Sequence, residues 1–433
     1  MTGSMYAAVS GLKAHMSALN VIGNNVSNVN TTGYKATRYT FNEALYTMQR
    51  SGSDGTSIAG GRNPAQVGFG SSIGTIDLDM STKNYNPTGQ LLDTMIDGDG
   101  FFFVGDKEIG NGATAVDIGD STTLKGMNLT RLGNFNVDPN GYLVDGNGSV
   151  VWGFLEEAVN ENTTFDLSKT EPSEIVNKAD SSTTSTTTTG SGGTDSPKKL
   201  TELTQEDVEK LKKLGVELHN VKYEAKTETD STTNPPTTKE VSYVKFATMT
   251  QNAAMGAVRL PTVNTDANTV TWPKYTAAKD AVYDPQDPTK VTKPAEPAKF
   301  EDTGTVRLES DSTTIDEKSG ALRIMTSDGE LYTVGYLAIA KVTNPNGVTH
   351  VDGRYYQAQD GAGTIRVTSI MGAVADVESA GDTKLITGGL ESSGTDLATE
   401  ITNMITVQRG YQANTRIVTV TDSMLEELVN MKR

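Results

Sequence analysis

The fold is decided by residues 391–433, which read ESSGTDLATEITNMITVQRGYQANTRIVTVTDSMLEELVNMKR. From Asp396 onward this stretch holds no proline and a single glycine, Gly410. Its apolar side chains recur every seven positions, with one more between the first two: Leu397, Ile401, Met404, Tyr411, Val418 and Leu425. This period is typical of a long amphipathic helix whose stripe packs against a partner. We expect Ser392, Ser393 or Thr395 to cap a helix of roughly 50 Å.

The opposite end of the chain carries a second apolar stripe. Its members mostly alternate spacings of four and three residues, and Ile22 widens it: Met5, Val9, Leu12, Met16, Leu19, Ile22, Gly23 and Val26. Gly23 leaves a gap where another backbone could approach, and His15 falls on the polar side, where we expect it to be solvated. Lone amphipathic helices are marginal in water. Spacing alone leaves two arrangements open, a hairpin within one domain and packing between molecules.

Composition narrows the class of protein. The 433 residues allow two to four domains, and 35% hydrophobic residues with 43 glycines favour turn-rich β-structure with modest cores. A net charge of -17 argues against nucleic acid and against anionic membrane surfaces as partners. There is no cysteine, so disulfides and thiolate chemistry are excluded. The N-terminus lacks the pattern of a cleaved signal and no run of about 18 apolar residues occurs, so we expect a soluble chain.

Between the two ends, the composition and the predicted secondary structure change several times along the sequence. Residues 31–66 read as a connector of low regularity, and residues 67–155 as short strands punctuated by glycine. Residues 156–304 hold a Ser/Thr/Gly-rich run at 181–196 and a short helix at 204–218, which indicates an inserted outer β-domain. Strand patterns return over 305–390, most strongly at 331–342.

These segments predict a mainly β protein with long terminal helices and a nested architecture. The helices, 1–30 and 391–433, pair as a coiled coil, and a β-rich domain is built from 67–155 and 305–390. The outer domain, 156–304, is inserted into it.

A search for chemistry finds no catalytic set. His15, His219 and His350 fall in three different segments, and neither a GxSxG nor a phosphate-binding loop is present. Asp97-Gly98-Asp99 and Asp145-Gly146-Asn147 resemble calcium loops only weakly, because the spaced ligands and the closing glutamate are missing. We expect no catalytic residue, no metal site and no cofactor.

Several blocks, in the right order, resemble the bacterial flagellar rod and hook protein family. They are Ala8–Leu12, the stretch 22–35 (IGNNVSNVNTTGYK), 98–102 (GDGFF), 344–347 (NPNG), 390–397 (LESSGTDL) and 404–414 (MITVQRGYQAN). The residues of these blocks resemble hook subunits more than the shorter distal rod subunits. Ser27 and Thr32 depart from the residues that are commoner in the family. The middle, 156–304, carries no resemblance.

The resemblance implies a structural subunit of the flagellar hook, outside the cell after type III export. It implies self-association into a helical tube, and contacts with rod and hook–filament junction proteins, the hook cap and the export apparatus. The apolar residues of both stripes, apart from Gly23, would then form the assembly interface. Two alternatives stay open: a distal rod or junction subunit of the same family, and a secreted surface adhesin suggested by the acidic, Thr-rich middle. An enzyme ranks behind both.

Overall fold

The computed structural model describes residues 2–52, 54, 60–109, 113–159, 163–169, 175–177, 197–230, 237–250, 254–264, 269–272, 274–279, 282–284, 287–301, 313–325, 331–374 and 377–431. The Ser/Thr/Gly-rich run at 181–196 lies outside these residues. Four α-helices are present in the described part: α1 Thr2–Ser27, α2 Ser121–Gly126, α3 Gln205–Lys213 and α4 Leu397–Asn430. None of the described helices is long and apolar enough to cross a membrane.

The rest of the regular structure is β. The strands, in chain order, are β1 Thr37–Glu43, β2 Tyr46–Arg50, β3 Ala65–Gly68, β4 Ser71–Leu78, β5 Tyr85–Pro87, β6 Thr94–Asp97, β7 Phe101–Gly105, β8 Ala115–Asp117, β9 Asn128–Thr130, β10 Asn136–Val137, β11 Leu143–Val144, β12 Val150–Ala158, β13 Thr164–Phe165, β14 Val176–Asn177, β15 Lys198–Lys199, β16 His219–Asp230, β17 Thr237–Thr250, β18 Ala254–Ala257, β19 Thr262–Asn264, β20 Thr269–Thr271, β21 Lys274–Thr276, β22 Val282–Asp284, β23 Asp287–Lys293, β24 Lys299–Glu301, β25 Thr313–Ile315, β26 Ala321–Met325, β27 Leu331–Val342, β28 Val348–His350, β29 Tyr355–Ala358, β30 Ile365–Ser369, β31 Lys384–Thr387 and β32 Gly389–Glu391. The expected fold class, mainly β with a helix at each end, is confirmed at this level.

The chain forms two compact units. Unit 1 joins both ends of the chain, Met1–Tyr85 and Glu391–Arg433, and unit 2 is the segment between them, Asn86–Leu390. Because each unit is compact by itself, the two are described separately.

Unit 1 contains α1, α4 and two antiparallel strand pairs. β1 pairs with β4 from Thr37 opposite Leu78 to Glu43 opposite Ser71, and β2 pairs with β3. The structure therefore differs from the sequence interpretation in two places. Residues 31–66, read as a connector of low regularity, carry β1, β2 and part of β3. β4, which was expected to belong to the β-rich domain of 67–155 and 305–390, pairs with β1 instead of with the larger sheet.

Unit 2 is organised around one antiparallel sheet. Along its main path the strand order is β10-β11-β12-β27-β7-β9-β29-β28, so strands from 101–158 and from 331–358 are interleaved along it. The longest central strand, β27, has the bounds that the sequence predicted, and β26, β12, β7 and β30 all pair with it. Its residues from Val334 to Ala340 are all buried, which explains the continuous apolar run in the sequence.

A buried arginine closes the glycine-rich loop that precedes β7. Gly98 and Gly100 both have positive φ, a conformation that favours glycine. Arg131 is 1% exposed and its Nη1 donates to the carbonyl oxygens of Gly98 and Gly100 at 2.8 and 2.7 Å. The guanidinium thus donates hydrogen bonds to two backbone carbonyl groups of this turn.

The middle of the chain adds a long hairpin and a short helix to unit 2. β16 and β17 form the hairpin, and β17 continues onto β12 at Glu156 opposite Thr250. The short helix begins as predicted, with Thr204 accepting a hydrogen bond from the amide of Asp207, but it ends at Lys213 instead of 218. Its Leu211 packs with Phe165, Leu203 and Val244 in a small apolar cluster.

Candidate assembly site

The two terminal helices lie antiparallel to each other in unit 1. Asn25 near the end of α1 contacts Glu400 near the start of α4, and Gly11 near the start of α1 faces Asn414 further along α4. Between these points Ala18 and Ile22 pack with Val407. α4 continues past the start of α1, since residue 11 already lies opposite residue 414 and α4 runs on to Asn430.

The line of contact on α1 is built from small residues. Its buried positions are spaced by three and four: Ala8, Gly11, Ala14, Ala18, Ile22 and Asn25. A Cβ added to Gly11 would lie 2.6 Å from the Asn414 amide nitrogen, and one added to Gly410 would lie 2.7 Å from the His15 ring. Small side chains let the two backbones approach closely at these two points. Gly23, where the sequence suggested a close approach, instead faces open space, with nothing within 4 Å of an added Cβ.

The predicted interface residues are divided between this contact and the surface. Leu19, Ile22, Val26 and Met404 gather around Ala18 and Val407, and Ile22 is fully buried. Met5, Leu12 and Val418 are half-buried. The others remain exposed: Val9, Met16, Leu397, Ile401, Tyr411 and Leu425. The intramolecular contact therefore runs beside the predicted stripe on α1 and crosses it on α4, where Glu400, Met404, Val407, Gly410, Asn414, Val418 and Thr421 form the buried and half-buried face.

His15 differs from the expectation that it is solvated. Its ring lies against Gly410 and meets Phe41 edge-on, with 5.4 Å between ring centroids. Its Nδ1 is buried and has no hydrogen-bond partner among the described residues. The polar position on the helix faces α4 because the small residues on either side bring that helix close.

Asn25 connects the two helices with the turn that follows α1. This side chain is 1% exposed and uses both ends of its amide. Its Nδ2 donates to Thr37 O at 2.8 Å and to Glu400 Oε1 at 2.9 Å, while its Oδ1 accepts from the Thr37 amide and from the Tyr34 hydroxyl, each at 3.0 Å. Burial raises the pKa of Tyr34, with the nearby Glu400 charge adding to it. A fully satisfied buried amide of this kind fixes one arrangement of the elements around it.

The same turn is bonded to the segment that leads into α4. Gly33 N donates to Glu391 O and Gly394 N donates to Tyr34 O, both at 2.8 Å, and Ser393 Oγ donates to Asn28 O at 2.8 Å. An added Cβ on Gly394 would lie 3.0 Å from the Ala36 nitrogen, so the approach favours glycine. We call residues 25–37 and 391–396 together the clasp. Asp396 itself caps α4 by accepting from the Ala398 amide, so none of Ser392, Ser393 and Thr395 is the cap.

A buried ion pair closes the clasp. Lys35 is fully buried and its Nζ lies 2.8 Å from Glu391 Oε1, whose residue is 2% exposed. The ammonium also donates to Ser81 O at 3.0 Å, and Glu391 Oε1 accepts from the Lys83 amide at 2.9 Å. Buried charges are tolerated where they are paired and hydrogen-bonded in this way. Sequence reasoning missed Asn25, Lys35, Glu391 and Glu400 because it followed apolar spacing, although three of the four lie within the blocks that carry the family resemblance.

Large apolar side chains on both helices remain exposed beyond the clasp. On α1 and α4 they include Tyr6, Val9, Met16, Leu397, Ile401, Ile405, Tyr411, Ile417, Val420, Met424, Leu425, Leu428 and Val429. Thirteen of the 34 residues of α4 are Thr, Val or Ile, which have below-average helix propensity. A helix of this composition depends on burial for its stability, and one chain buries only part of its apolar surface.

A metal site in the described part of the chain would need His, Cys, Asp or Glu side chains gathered around one point. There, no three His, Cys, Asp or Glu side chains come together as metal ligands. His15 lies in unit 1, and His219 and His350 lie on different strands of unit 2.

Two models of known protein families match the two ends of the chain. The model of the flagellar basal body rod protein matches residues 5–35, and that of the FlgEFG C-terminal region matches residues 386–431. The two matched segments are those that the clasp joins.

Comparison with individual proteins extends the similarity to the whole chain. The flagellar basal-body rod protein FlgG of Bacillus subtilis is 25% identical, and the flagellar hook protein FlgE of Treponema pallidum is 27% identical, each over all of both chains. The hook protein FlgE of Helicobacter mustelae is 34% identical over 40% of this chain and 36% of the relative. Among solved structures, the hook protein FlgE2 of Helicobacter pylori covers 71% of this chain and is itself wholly covered, at 11% identity and a TM-score of 0.29. Both ends of the chain thus match models of flagellar rod and hook proteins, and over its full length the chain is similar to proteins named as flagellar rod and hook proteins.

Proposed function

We propose that this chain is a structural subunit of the flagellar hook, the curved tube that couples the motor-driven rod to the filament. The observation that carries the proposal is the exposed apolar surface on both terminal helices, in a family whose members are named as rod and hook proteins. The family is structural, and we propose that this chain likewise has no catalytic activity and needs no cofactor. It resides in the bacterial flagellum.

In this proposal the terminal helices form the assembly domain, as a coiled coil in each subunit and against neighbouring subunits. The residues that dock are the thirteen of the predicted interface, from Met5 to Val26 and from Leu397 to Leu425. Burying one large apolar side chain contributes about 1.5–3 kcal/mol, so covering several of them offsets the entropy of ordering two marginal helices. We therefore infer that the ends order when they dock, and that the head-to-tail contact repeats without closing, as in a helical filament.

The remaining regions have outer roles in the proposed tube. In the proposed tube, the β-rich domain of 67–155 and 305–390, apart from β3 and β4, which belong to unit 1, forms a shell outside the helices. Residues 156–304 are the inserted outer domain. Export through the flagellar type III apparatus, assembly beneath the hook cap, and contacts with rod and junction proteins follow from the family. Bending requires contacts between β-domains that slide or switch while the helices maintain continuity.

Deleting Leu397–Arg433 tests the assembly role directly. We expect a soluble monomer whose unit 2 remains folded, since none of its core residues lies in the deleted segment. Sedimentation and negative-stain microscopy of the full chain and the truncated chain, side by side, give the readout. Polymers formed by the truncated chain would show that the end helices are not the assembly element.

A rod subunit is the second candidate, because the FlgG relative is similar over the full length of both chains. Electron microscopy of cells lacking the protein separates the two. Cells that keep the rod and lose the hook support the hook assignment, and cells that lose the rod support the alternative.

A further inference from the structure

The long hairpin of unit 2 is attached to the sheet through an irregular base. β16 and β17 fall out of register between His219 and Lys222, and Asn220 there has φ +50°. A non-glycine residue in this conformation is strained unless its surroundings hold it. Asn220 Nδ2 donates to Thr248 Oγ1 at 2.7 Å and to Thr333 O at 2.9 Å, and its Oδ1 accepts from the Thr333 amide at 2.8 Å. The irregularity is thus held in place by both β17 and β27.

At this base His219 lies against a buried carboxylate. Its Nδ1 is 2.8 Å from Glu156 Oε1 on β12, and Glu156 is fully buried. Thr250 on β17 donates to the same Oε1 at 2.7 Å, whereas Oε2 is buried without a hydrogen-bond partner among the described residues. A carboxylate this deep in the protein requires a nearby positive charge. Protonated His219 is placed to supply it.

The other groups around the imidazole favour its charged form as well. His219 Nε2 lies 3.6 Å from Glu217 Oε2 and 3.2 Å from the Tyr336 hydroxyl on β27. Lys222 on β16 lies over the Tyr332 ring, and Arg323 on β26 contacts Asp316, 3.4 Å away. Two carboxylates therefore face the ring directly, and the cations nearby are engaged elsewhere.

We propose that His219 and Glu156 form a protonation-dependent clamp that holds the β16–β17 hairpin to the sheet. When the imidazole is charged, the ion pair neutralises Glu156. When it is neutral, Nδ1–H can still donate to Glu156 and the Tyr336 hydroxyl can donate to Nε2. The hairpin then remains folded, but the buried carboxylate has lost its countercharge and local opening becomes easier.

The direction of the pH dependence follows from the pKa of His219. Burial alone would lower it, but the hydrogen bond and charge of Glu156, with Glu217 adding, raise the pKa of His219 above its usual 6.5. The stabilisation is therefore fully present below pH 6.5 and is lost as the pH rises through the raised value in the folded chain. His350 offers an internal contrast, because burial lowers its pKa.

The full-length chain allows a direct test, since it has only three histidines. NMR titration of the imidazole signals should give His219 a higher pKa than His350, and Glu156→Gln should lower the pKa of His219. Hydrogen exchange of the β16–β17 amides, corrected for intrinsic rates, should lose protection as the pH rises through the His219 titration. Glu156→Gln should remove that pH dependence, and His350→Gln, the matched control, should leave it unchanged.

A second variant covers the possibility that Glu156→Gln fails to fold. Glu217 is 42% exposed, so Glu217→Gln keeps the fold and should lower the pKa of His219 relative to the wild type. A pKa of wild-type His219 equal to or below that of His350 would overturn the proposal of a clamp. So would hairpin exchange with the same pH dependence in the wild type and in His219→Gln. None of these readouts depends on hook assembly.

Discussion

Unit 1 and unit 2 differ in how completely each buries its own apolar side chains. In unit 2 at least twenty apolar residues form one buried cluster, with Phe102, Val151 and Ile339 fully enclosed. In the described part of unit 1, the corresponding cluster has three buried members, Ala18, Ile22 and Val407. Ile405, on the same helix as Val407, remains 48% exposed. Unit 2 thus has a core of its own, and unit 1 has large apolar surfaces left for further burial.

The contrast also appears in the kind of residue at each contact. The sheet of unit 2 is packed by large aromatic and aliphatic side chains, which favour one self-contained arrangement. The helix pair of unit 1 is joined by alanines, glycines, an asparagine and a buried ion pair, which set its geometry but bury little apolar area. This difference predicts that changes in unit 2 lower the stability of the monomer, and that changes in unit 1 act mainly on the polymer.

Phe102→Ala should have the largest effect on the monomer. Phe102 is fully buried on β7 and meets Phe135 edge-on, with 5.0 Å between ring centroids. Truncating such a ring costs about 3–5 kcal/mol, because a cavity is left behind. Both tryptophans, Trp152 and Trp272, lie in unit 2, so the denaturant midpoint of their fluorescence measures the loss. An unchanged midpoint would contradict the assignment of the core to this sheet.

Lys35→Met should weaken assembly and leave the denaturant midpoint of the tryptophan fluorescence unchanged. It leaves Glu391 buried without its partner, which costs about 3 kcal/mol where the clasp is formed. If the clasp orders on docking, this cost raises the critical concentration of polymerisation by about a hundredfold, measured by sedimentation.

The double variant Lys35→Met with Glu391→Leu is the matched control for this ion pair. Removing both charges should recover much of the loss, since the burial penalty of the unpaired carboxylate disappears. If Lys35→Met shifted the tryptophan midpoint as strongly as Phe102→Ala does, the stability of the two units would not be separable in the way proposed.

Regular elements with a strong local pattern could be predicted from the sequence. The apolar run of 331–342 became β27 with unchanged bounds, and Asn136–Val137 pairs with Leu143–Val144 within the segment 67–155 that was expected to hold short strands. The Thr204 cap of α3 and the helix at each end were also visible locally. In these cases, period and turn chemistry lie within a few residues of one another.

The contacts between the two ends could not be predicted in the same way. Heptad spacing selects the largest apolar residues, but the actual helix contact uses Ala8, Gly11 and Ala18, whose small volume allows the close approach. The bond from Asn25 to Glu400 joins residues 375 positions apart, and no local pattern indicates it. Strands β1 and β2 were missed because most of their side chains remain exposed, so their alternation is weak.

Alanine at two helical glycines should give the smallest effect and the finest test of the comparison. Gly23 faces open space, so Gly23→Ala should only add helix propensity and stabilise the polymer by about 0.5–1 kcal/mol. Gly410→Ala gains the same propensity, but its Cβ would lie 2.7 Å from the His15 ring, and overpacking costs about 1–3 kcal/mol.

The critical concentration should therefore fall for Gly23→Ala and rise for Gly410→Ala, by about tenfold when overpacking costs about 2 kcal/mol, the middle of its range. Adding His15→Ala to Gly410→Ala should reverse the rise, because the ring that opposes the new methyl group is gone. Equal stabilisation by both single variants would mean that the helices of unit 1 do not cross closely at Gly410. In that case, the contrast between a helix contact of small residues in unit 1 and a core of large residues in unit 2 would not hold.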